Sequence, residues 1–398
     1  MAQRGREPER LRVAMVGHGF MGAAHSQAWR TVARFFPLGL EPEMSVIVGR
    51  DPDRTEAARE HLGWERASTD WRAVVADPEI DVVDVCSPGA SHVEVAIAAL
   101  RAGKHVLCEK PLANSVADAE AMTAAAASAA EHGVRSMVGF SYRRVPAIAF
   151  ARRLVQDGRI GTVRQVRALY LQDWLADEDG PMTWRLDKEQ AGSGSLGDIG
   201  AHAIDLVEHI TGATLTSVSG TLETFVRERP LLAEGVGLSG TASTERGTVT
   251  VDDAAWFLGR LAGGAADGAV GSFEATRYAT GRKNGLTIEL SGTSGAIRFD
   301  LESMNELQVY DASAAAGEQG FTRVLVTEPE HPYMAAWWPT GHLIGYEHTF
   351  THEVADLVTA IAEGTEPRPS FAEGLHVQRV LDAVERSAAD GSSWTAIP

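Results

Sequence analysis

Between residues 11 and 142 short apolar runs alternate with amphipathic segments of helix length. RVAMVG is compact and β-branched, and FMGAAHSQAWRTVARFF after it repeats its apolar positions at helical spacing. MSVIVG precedes DRTEAAREHLG, and DVVDVCSP precedes HVEVAIAALRAG. KHVLCEKP then leads into an alanine-rich helix, and VRSMVGF closes the series. Short apolar runs separated by helices predict parallel strands joined by crossover helices.

Beyond residue 142 the period changes. After the helical stretch PAIAFARRLVQDG come RQVRALYLQDW, SVSGTLETFV, VTVDDAAWFLGRLA, AVGSFEATRYA, LTIELSG, GAIRFDL and ELQVYD, with turn residues between them. Such successive strands predict an antiparallel meander in one open sheet. Helical spacing returns from about Tyr346 to Ala389. The pattern predicts an α/β domain with a parallel sheet over 1–142. An α+β domain with a large, mostly antiparallel open sheet follows over 143–398.

A length of 398 residues suits two domains, and 44% apolar with 23% charged residues is ordinary for a soluble protein. The net charge of −18 opposes a nucleic-acid partner, whose phosphates require basic patches. Cys86 and Cys108 belong to no CxxC motif, which speaks against metal or redox pairs. The charged start MAQRGREPERLR reads as a disordered arm without a signal-peptide core, and no stretch is apolar enough for a membrane. A cytoplasmic protein is expected.

GHGFMG, from Gly17 to Gly22, fits GxGxxG between a strand and a helix. Gly17 allows the tight turn, Gly19 lets backbone approach a pyrophosphate, and Gly22 permits close helix–strand packing. The phosphates then rest on unpaired N–H groups at the helix N-terminus, with Phe20 and Met21 beside them. In this context the motif makes the first domain an α/β Rossmann domain. The second strand ends VIVGRD, with Gly49 where an acid would bind the adenosine ribose. Gly49 leaves room for a 2′-phosphate and Arg50 can pair with it, so NADP is expected ahead of NAD. Asp51 keeps NAD open, and Arg50 lying along the adenine is the plain alternative.

KHVLCEKPLANS sets Glu109 and Lys110 at the carboxyl end of a strand, the edge where open α/β sheets bind ligands. A lysine there can favour the alkoxide that develops during hydride loss. Ser87, Pro88 and His92 of SPGASH fall along the same edge and are expected in the cofactor loop. In GSGSLGDIGAHAID, Asp198, His202 and Asp205 share one helical stripe. An imidazole suits proton abstraction from a hydroxyl, and Asp198 can orient it. Asp205 either binds a neighbouring substrate hydroxyl or sits on a charged surface.

With GHGFMG, CEKPL and GSGSLGDIGAHAID in order, the chain resembles the Gfo/Idh/MocA family of oxidoreductases over nearly its whole length. That resemblance implies a catalytic set of Lys110, Asp198 and His202 and a nicotinamide cofactor. Within the family the closer likeness is to the levoglucosan dehydrogenase-like sugar 3-dehydrogenases. It is carried by YLQDW, WR at 184–185, AGSGSLGDI, VDD, EATRYATGRKN, HPY and WWPTGHLIGYEHT. NAD-using members tend to carry an acid where this chain has Gly49.

The implied reaction is oxidation of a ring hydroxyl, with C3 of an anhydrosugar or glycoside favoured; whether His202 or Lys110 takes the proton stays open. A cyclitol such as an inositol is the alternative substrate, and an NAD-dependent redox-assisted glycosidase the alternative reaction. A nucleotide-sensing regulator would need the glycine loop but not Lys110, Asp198 and His202. Sugars offer hydroxyl edges and C–H faces, which Gln172, Trp174, Trp184, Arg185 and Tyr278 can match, with Trp337 and Trp338 as weaker candidates. His348, His352 and Glu353 in HTFTHE lack the HExxH order and a third ligand, so no metal is expected. An uncovered sheet face predicts a homodimer or homotetramer through the second domain.

Overall fold

The computed structural model describes residues 9–236 and 239–398, without the side chains of 232–242. The charged arm expected at the start lies outside these residues up to Glu9, where the first strand begins. The chain divides into two compact units. One comprises the described residues up to Ala113, then Ala117–Ser141 and Tyr346–Leu375; the other comprises Asn114–Val116, Tyr142–Gly345 and His376–Pro398.

The first unit contains β1 (Glu9–Val16), α1 (Phe20–Phe35), β2 (Leu40–Val48), α2 (Pro52–Leu62), β3 (Arg66–Ser68) and α3 (Trp71–Ala76). It continues with β4 (Val82–Val85), α4 (His92–Arg101), β5 (His105–Glu109), α5 (Val116–Ala130) and β6 (Ser136–Gly139). Among the described residues the strands form one sheet in the order β3-β2-β1-β4-β5-β6, and every neighbouring pair is parallel. Val13, Met15, Ile47, Val82 and Leu107 are all buried in it, as strands covered by helices on both faces require. The order reverses between β1 and β4, and that switch point is where such sheets leave a ligand crevice.

The second unit contains α6 (Pro146–Gln156), β7 (Val163–Leu171), the short α7 (Lys188–Ala191), α8 (Ala201–Thr211) and β8 (Thr214–Glu223). A hairpin of β9 (Glu228–Val236) and β10 (Ser239–Thr248) follows. Then come β11 (Ala254–Ala262), β12 (Val270–Thr276), β13 (Gly285–Gly292), β14 (Gly295–Asp300), β15 (Glu306–Asp311) and β16 (Thr322–Leu325). Near the end of the chain are α9 (Tyr346–Glu363), α10 (Phe371–Ala389) and β17 (Thr395–Ala396).

Among the described residues the large sheet runs β16-β15-β14-β13-β7-β12-β11-β8-β17 and is antiparallel except at β7–β12. The expected meander therefore holds only in part. Between β7 and β8 the chain crosses over through α8, so β8 runs in the same sense as β7. Two antiparallel steps then bring β12 back in that sense, and it lies parallel to β7. The β9–β10 hairpin was not anticipated, because RERPLLAEGV and SGTASTERGT show no clean alternation.

The segment Tyr346–Leu375, expected with the second domain, packs on the first unit. Phe350, Val354 and Val358 of α9 join Ala28, Trp29 and Val32 of α1 in one buried cluster. His352 presents its ring edge to Phe36 at 5.8 Å, a packing role. No described helix is long and apolar enough to cross a membrane.

Candidate active site

In the first unit the glycine loop is shaped by close backbone approaches. Gly17 has φ +102°, and a Cβ there would lie 2.7 Å from the Ser87 nitrogen. A Cβ on Gly22 would lie 2.3 Å from the Gly17 carbonyl oxygen, so helix and turn touch backbone to backbone. At Gly19 a Cβ would meet nothing within 4 Å. That open side, above a helix start with no side-chain cap and no acid in its first turn, suits a pyrophosphate. These residues fit a dinucleotide. Phe20 is exposed and stacks on Tyr346 at 6.1 Å, whereas Met21 is half-buried against the core.

The basis of the NADP expectation changes at Gly49. A Cβ there would fall 2.1 Å from His18 Nε2 and 2.3 Å from Thr55 Oγ1, which lie 3.1 Å apart. His18 and Thr55 thus occupy the space beside Gly49 that the expectation left to a 2′-phosphate. Arg50 is exposed, and Asp51 caps α2 by accepting from the Arg54 N–H at 2.9 Å.

Three other expected cofactor residues are engaged in the fold. His92 is 2% exposed, with Nε2 2.9 Å from the Ser87 carbonyl and Nδ1 3.1 Å from that of Pro111. It ties the loops after β4 and β5 together, and its burial lowers its pKa. Ser87 Oγ accepts from Ser91 Oγ at 2.7 Å, while Pro88 leads exposed into that turn. Glu109 is buried, accepting the Lys110 main-chain N–H at 3.1 Å and facing His25 Nε2 at 2.9 Å. Lys110 itself is half-buried and precedes Pro111 through a cis peptide.

In the second unit one side chain shapes the glycine-rich run. Asp252, from the VDD stretch, accepts from the Gly194 N–H at 2.7 Å, Ser195 Oγ at 2.7 Å and the Leu196 N–H at 2.8 Å. A Cβ on Gly194 would sit 1.8 Å from the Asp252 carbonyl oxygen, so only glycine fits. Leu196–Gly200 then winds as a π-helical turn into α8. Such wide turns occur often at functional sites. This one also breaks the single stripe expected for Asp198, His202 and Asp205.

Asp205 is not a surface charge. It is 1% exposed and held from both oxygens by Arg143, at 2.9 Å and 3.0 Å from Nε and 2.6 Å from Nη2. Asp198 retains partial exposure, with Oδ2 3.7 Å from Arg277 Nη1. Arg277, fully buried, lies over the Trp174 ring at 5.4 Å. The imidazole of His202 is tilted against Tyr142 at 4.5 Å and Tyr170 at 6.0 Å.

A hydrogen-bonded series joins these two neighbourhoods. The Tyr142 and Tyr170 hydroxyls are 3.0 Å apart, and Tyr170 donates to Asn284 Oδ1 at 2.8 Å. Gln172 Nε2 donates to the same oxygen at 2.8 Å, and Trp174 Nε1 donates to Gln172 Oε1 at 3.0 Å. Gln172 and Trp174, expected as sugar contacts, are thus joined to each other and to Asn284. Tyr142, Tyr170, Asn284, Arg277 and Asp252 were missed as site residues, although four of them lie in stretches that carried the family likeness.

The remaining expected residues form separate groups. Tyr278 accepts a short hydrogen bond from the buried Arg229 and packs edge-on to Phe225 at 5.4 Å. Burial, followed by the Asp253 charge, raises its pKa. Arg185 covers the ring of its own neighbour Trp184 at 4.5 Å. Trp337 and Trp338 have ring centres 6.4 Å apart.

These features define an oxidoreductase fold and site, and comparison with known proteins places the chain in the Gfo/Idh/MocA family, to which it belongs. Residues 11–140 match "Oxidoreductase family, NAD-binding Rossmann fold", and 148–298 match "GFO/IDH/MocA C-terminal domain". Levoglucosan dehydrogenase of Pseudarthrobacter phenanthrenivorans is 42% identical over 395 residues, covering 98% of this chain and 99% of that one. The crystal structure of an oxidoreductase domain protein from Kribbella flavida is 60% identical with TM-score 0.92, covering 98% of this chain and all of the other (100%). A levoglucosan dehydrogenase structure in complex with NADH and levoglucosan is 42% identical with TM-score 0.91, covering 98% and 100%. NADH is the cofactor named with that relative, and nothing supports the preference for NADP.

Proposed function

We propose that this chain is an NAD-dependent sugar dehydrogenase that oxidises one ring hydroxyl of an anhydrosugar or glycoside, with C3 favoured. The observation that carries this reading is the polar and aromatic series from Asp198 through Arg277, Trp174, Gln172, Asn284, Tyr170 and Tyr142 to His202. It offers hydrogen-bonding edges for hydroxyls and ring faces for C–H groups. The relatives that act on levoglucosan support the substrate class.

When bound, NAD supplies the hydride acceptor. Gly17, Gly19 and Gly22 admit its pyrophosphate, and the uncapped start of α1 supplies the N–H groups. His202 takes the hydroxyl proton as general base. Asp198 orients the imidazole and favours its protonated form, while Lys110 stabilises the developing alkoxide. Ring C–OH thereby becomes C=O, one proton passing to His202 and one hydride to the cofactor. Exposed Leu258 and Val270 share one face of the large sheet, and we assign that face to contact between subunits. The two free thiols suit a reducing cytoplasm.

A panel of anhydrosugars, monosaccharides and cyclitols, assayed with NAD and NADP, tests the reading. Reduction of NAD by levoglucosan, faster than by an inositol, is expected. Turnover restricted to cyclitols would transfer the assignment to them, and aglycone release without net cofactor reduction would replace it with the glycosidase. Replacing Lys110 by Ala should retain NADH binding and lower kcat by about 1,000-fold.

A further inference from the structure

Beneath the glycine loop of the first unit lies a buried charged cluster that takes no part in the chemistry above. His25 of α1 is 1% exposed and stands between two buried carboxylates. Its Nδ1 is 2.9 Å from Asp84 Oδ2 on β4, and its Nε2 is 2.9 Å from Glu109 Oε1 at the end of β5. Phe350 of α9 covers the ring at 5.3 Å.

Each ring nitrogen faces an oxygen, so each contact needs a proton. Either the ring holds both protons, or one carboxyl holds one of them. The other donors decide between these states. Asp84 also receives the Trp29 indole N–H at 2.7 Å and the Cys86 thiol at 3.4 Å. Glu109 also receives the Lys110 main-chain N–H at 3.1 Å. Two carboxylates buried on either side of one imidazole are best compensated by a ring that carries both protons. Burial alone would weaken the imidazole as a base. The charge of Asp84 and its hydrogen bond to the ring more than reverse this, holding its pKa well above the ordinary histidine range.

We propose that His25 is a positioning residue: a permanently protonated strut between Asp84 and Glu109 that fixes the main chain from which Lys110 projects. The strut makes Glu109 a charged acceptor for the Lys110 N–H and so sets where the ammonium group points. Its catalytic consequence rests on the function proposed for Lys110; the protonation state of His25 does not.

The full-length protein labelled with ¹⁵N-histidine tests the first part by long-range imidazole NMR. His25 should keep both ring protons well past the ordinary histidine value of about 6.5. In D84N, which removes the charge that raises its pKa most, it should lose one and begin to titrate. A His25 that titrates near the ordinary histidine value, or that carries a single ring proton in the unaltered protein, overturns the proposal.

The chain has four lysines, Lys104, Lys110, Lys188 and Lys283, so ¹³C-dimethyl-lysine spectra resolve the second part. In H25Q the Lys110 signal should move while those of Lys188 and Lys283 stay, and kcat should fall about 30-fold with NADH affinity changed less than about threefold. An unmoved Lys110 signal, or a lowered Tm with unchanged kcat, reduces His25 to packing and overturns it. Should the unaltered enzyme oxidise no sugar, the reading of Lys110 as a sugar-oxidising residue fails, while the nitrogen and lysine spectra still decide the role of His25.

Discussion

Two glycine-rich turns feed helices in this protein, and they are held by opposite means. GHGFMG is fixed by backbone pressed on backbone at Gly17 and Gly22, and its helix start is left uncapped. GSGSLG is fixed by one carboxylate, Asp252, which gathers three donors from consecutive residues. The first turn spends the Gly17 N–H on the Val48 carbonyl and leaves its helix start uncapped for a ligand to satisfy. The second has its own satisfied internally, and what it presents is side chains. A phosphate needs an open helix start, whereas a proton-transfer pair needs a stationary one.

The contrast can be broken most severely at Asp252. D252A orphans the Gly194 and Leu196 N–H groups in a buried place and leaves the Ser195 hydroxyl only the Ala275 carbonyl, 3.1 Å away. Hydrogen bonds to a charged group are each worth about 1.5–3 kcal/mol, so a loss of about 4 kcal/mol of stability is expected in urea unfolding. Activity should fall with it, while NADH affinity of the folded fraction holds.

The first turn should respond in the reverse sense. G17A forces Cβ against Ser87 and Cys86 and should lower both the apo-protein Tm and NADH affinity. G19A adds its methyl to open space, so calorimetry should show an unchanged apo Tm. Fluorescence titration should nevertheless show NADH bound about 10-fold more weakly. An apo Tm lowered equally by both substitutions would erase the distinction.

A smaller effect sharpens the second region alone. N284A removes the oxygen shared by Tyr170 and Gln172 and should raise the sugar KM about 10-fold without altering NADH affinity.

The smallest concerns His376, whose Nε2 lies 2.9 Å from Glu208 Oε1 on α8. Burial opposes its charge, but the hydrogen bond and attraction of Glu208 prevail and raise its pKa. A raised folded pKa stabilises fully below the unfolded value and loses that contribution as pH rises through the folded one. The stability gap between the unaltered protein and H376Q should therefore be largest, about 0.5 kcal/mol, below about pH 6 and close at alkaline pH.

The two turns also differ in how far the sequence disclosed them. GHGFMG acts through its own spacing, so the motif, its helix and the parallel sheet were legible from local pattern. Of the second turn only the residues could be read. Its latch is 56–58 residues away at Asp252, and Arg143 reaches Asp205 across 62. No periodicity encodes such pairings. The π-helical turn compounded this for Asp198 alone, whose angle to His202 no regular helical wheel gives, because His202 and Asp205 both lie in the regular turns of α8. His25 was hidden likewise, because its partners stand 59 and 84 residues on.

Position 49 has a consequence for how this protein can change. With the end of the His18 ring and the Thr55 hydroxyl in the space of any side chain there, an acid enters only as one of them turns aside. A carboxylate at 49 therefore displaces the His18–Thr55 contact before it can meet a ribose. Cofactor preference at this strand end is thus coupled to those two neighbours, and substitutions at the three positions should not add.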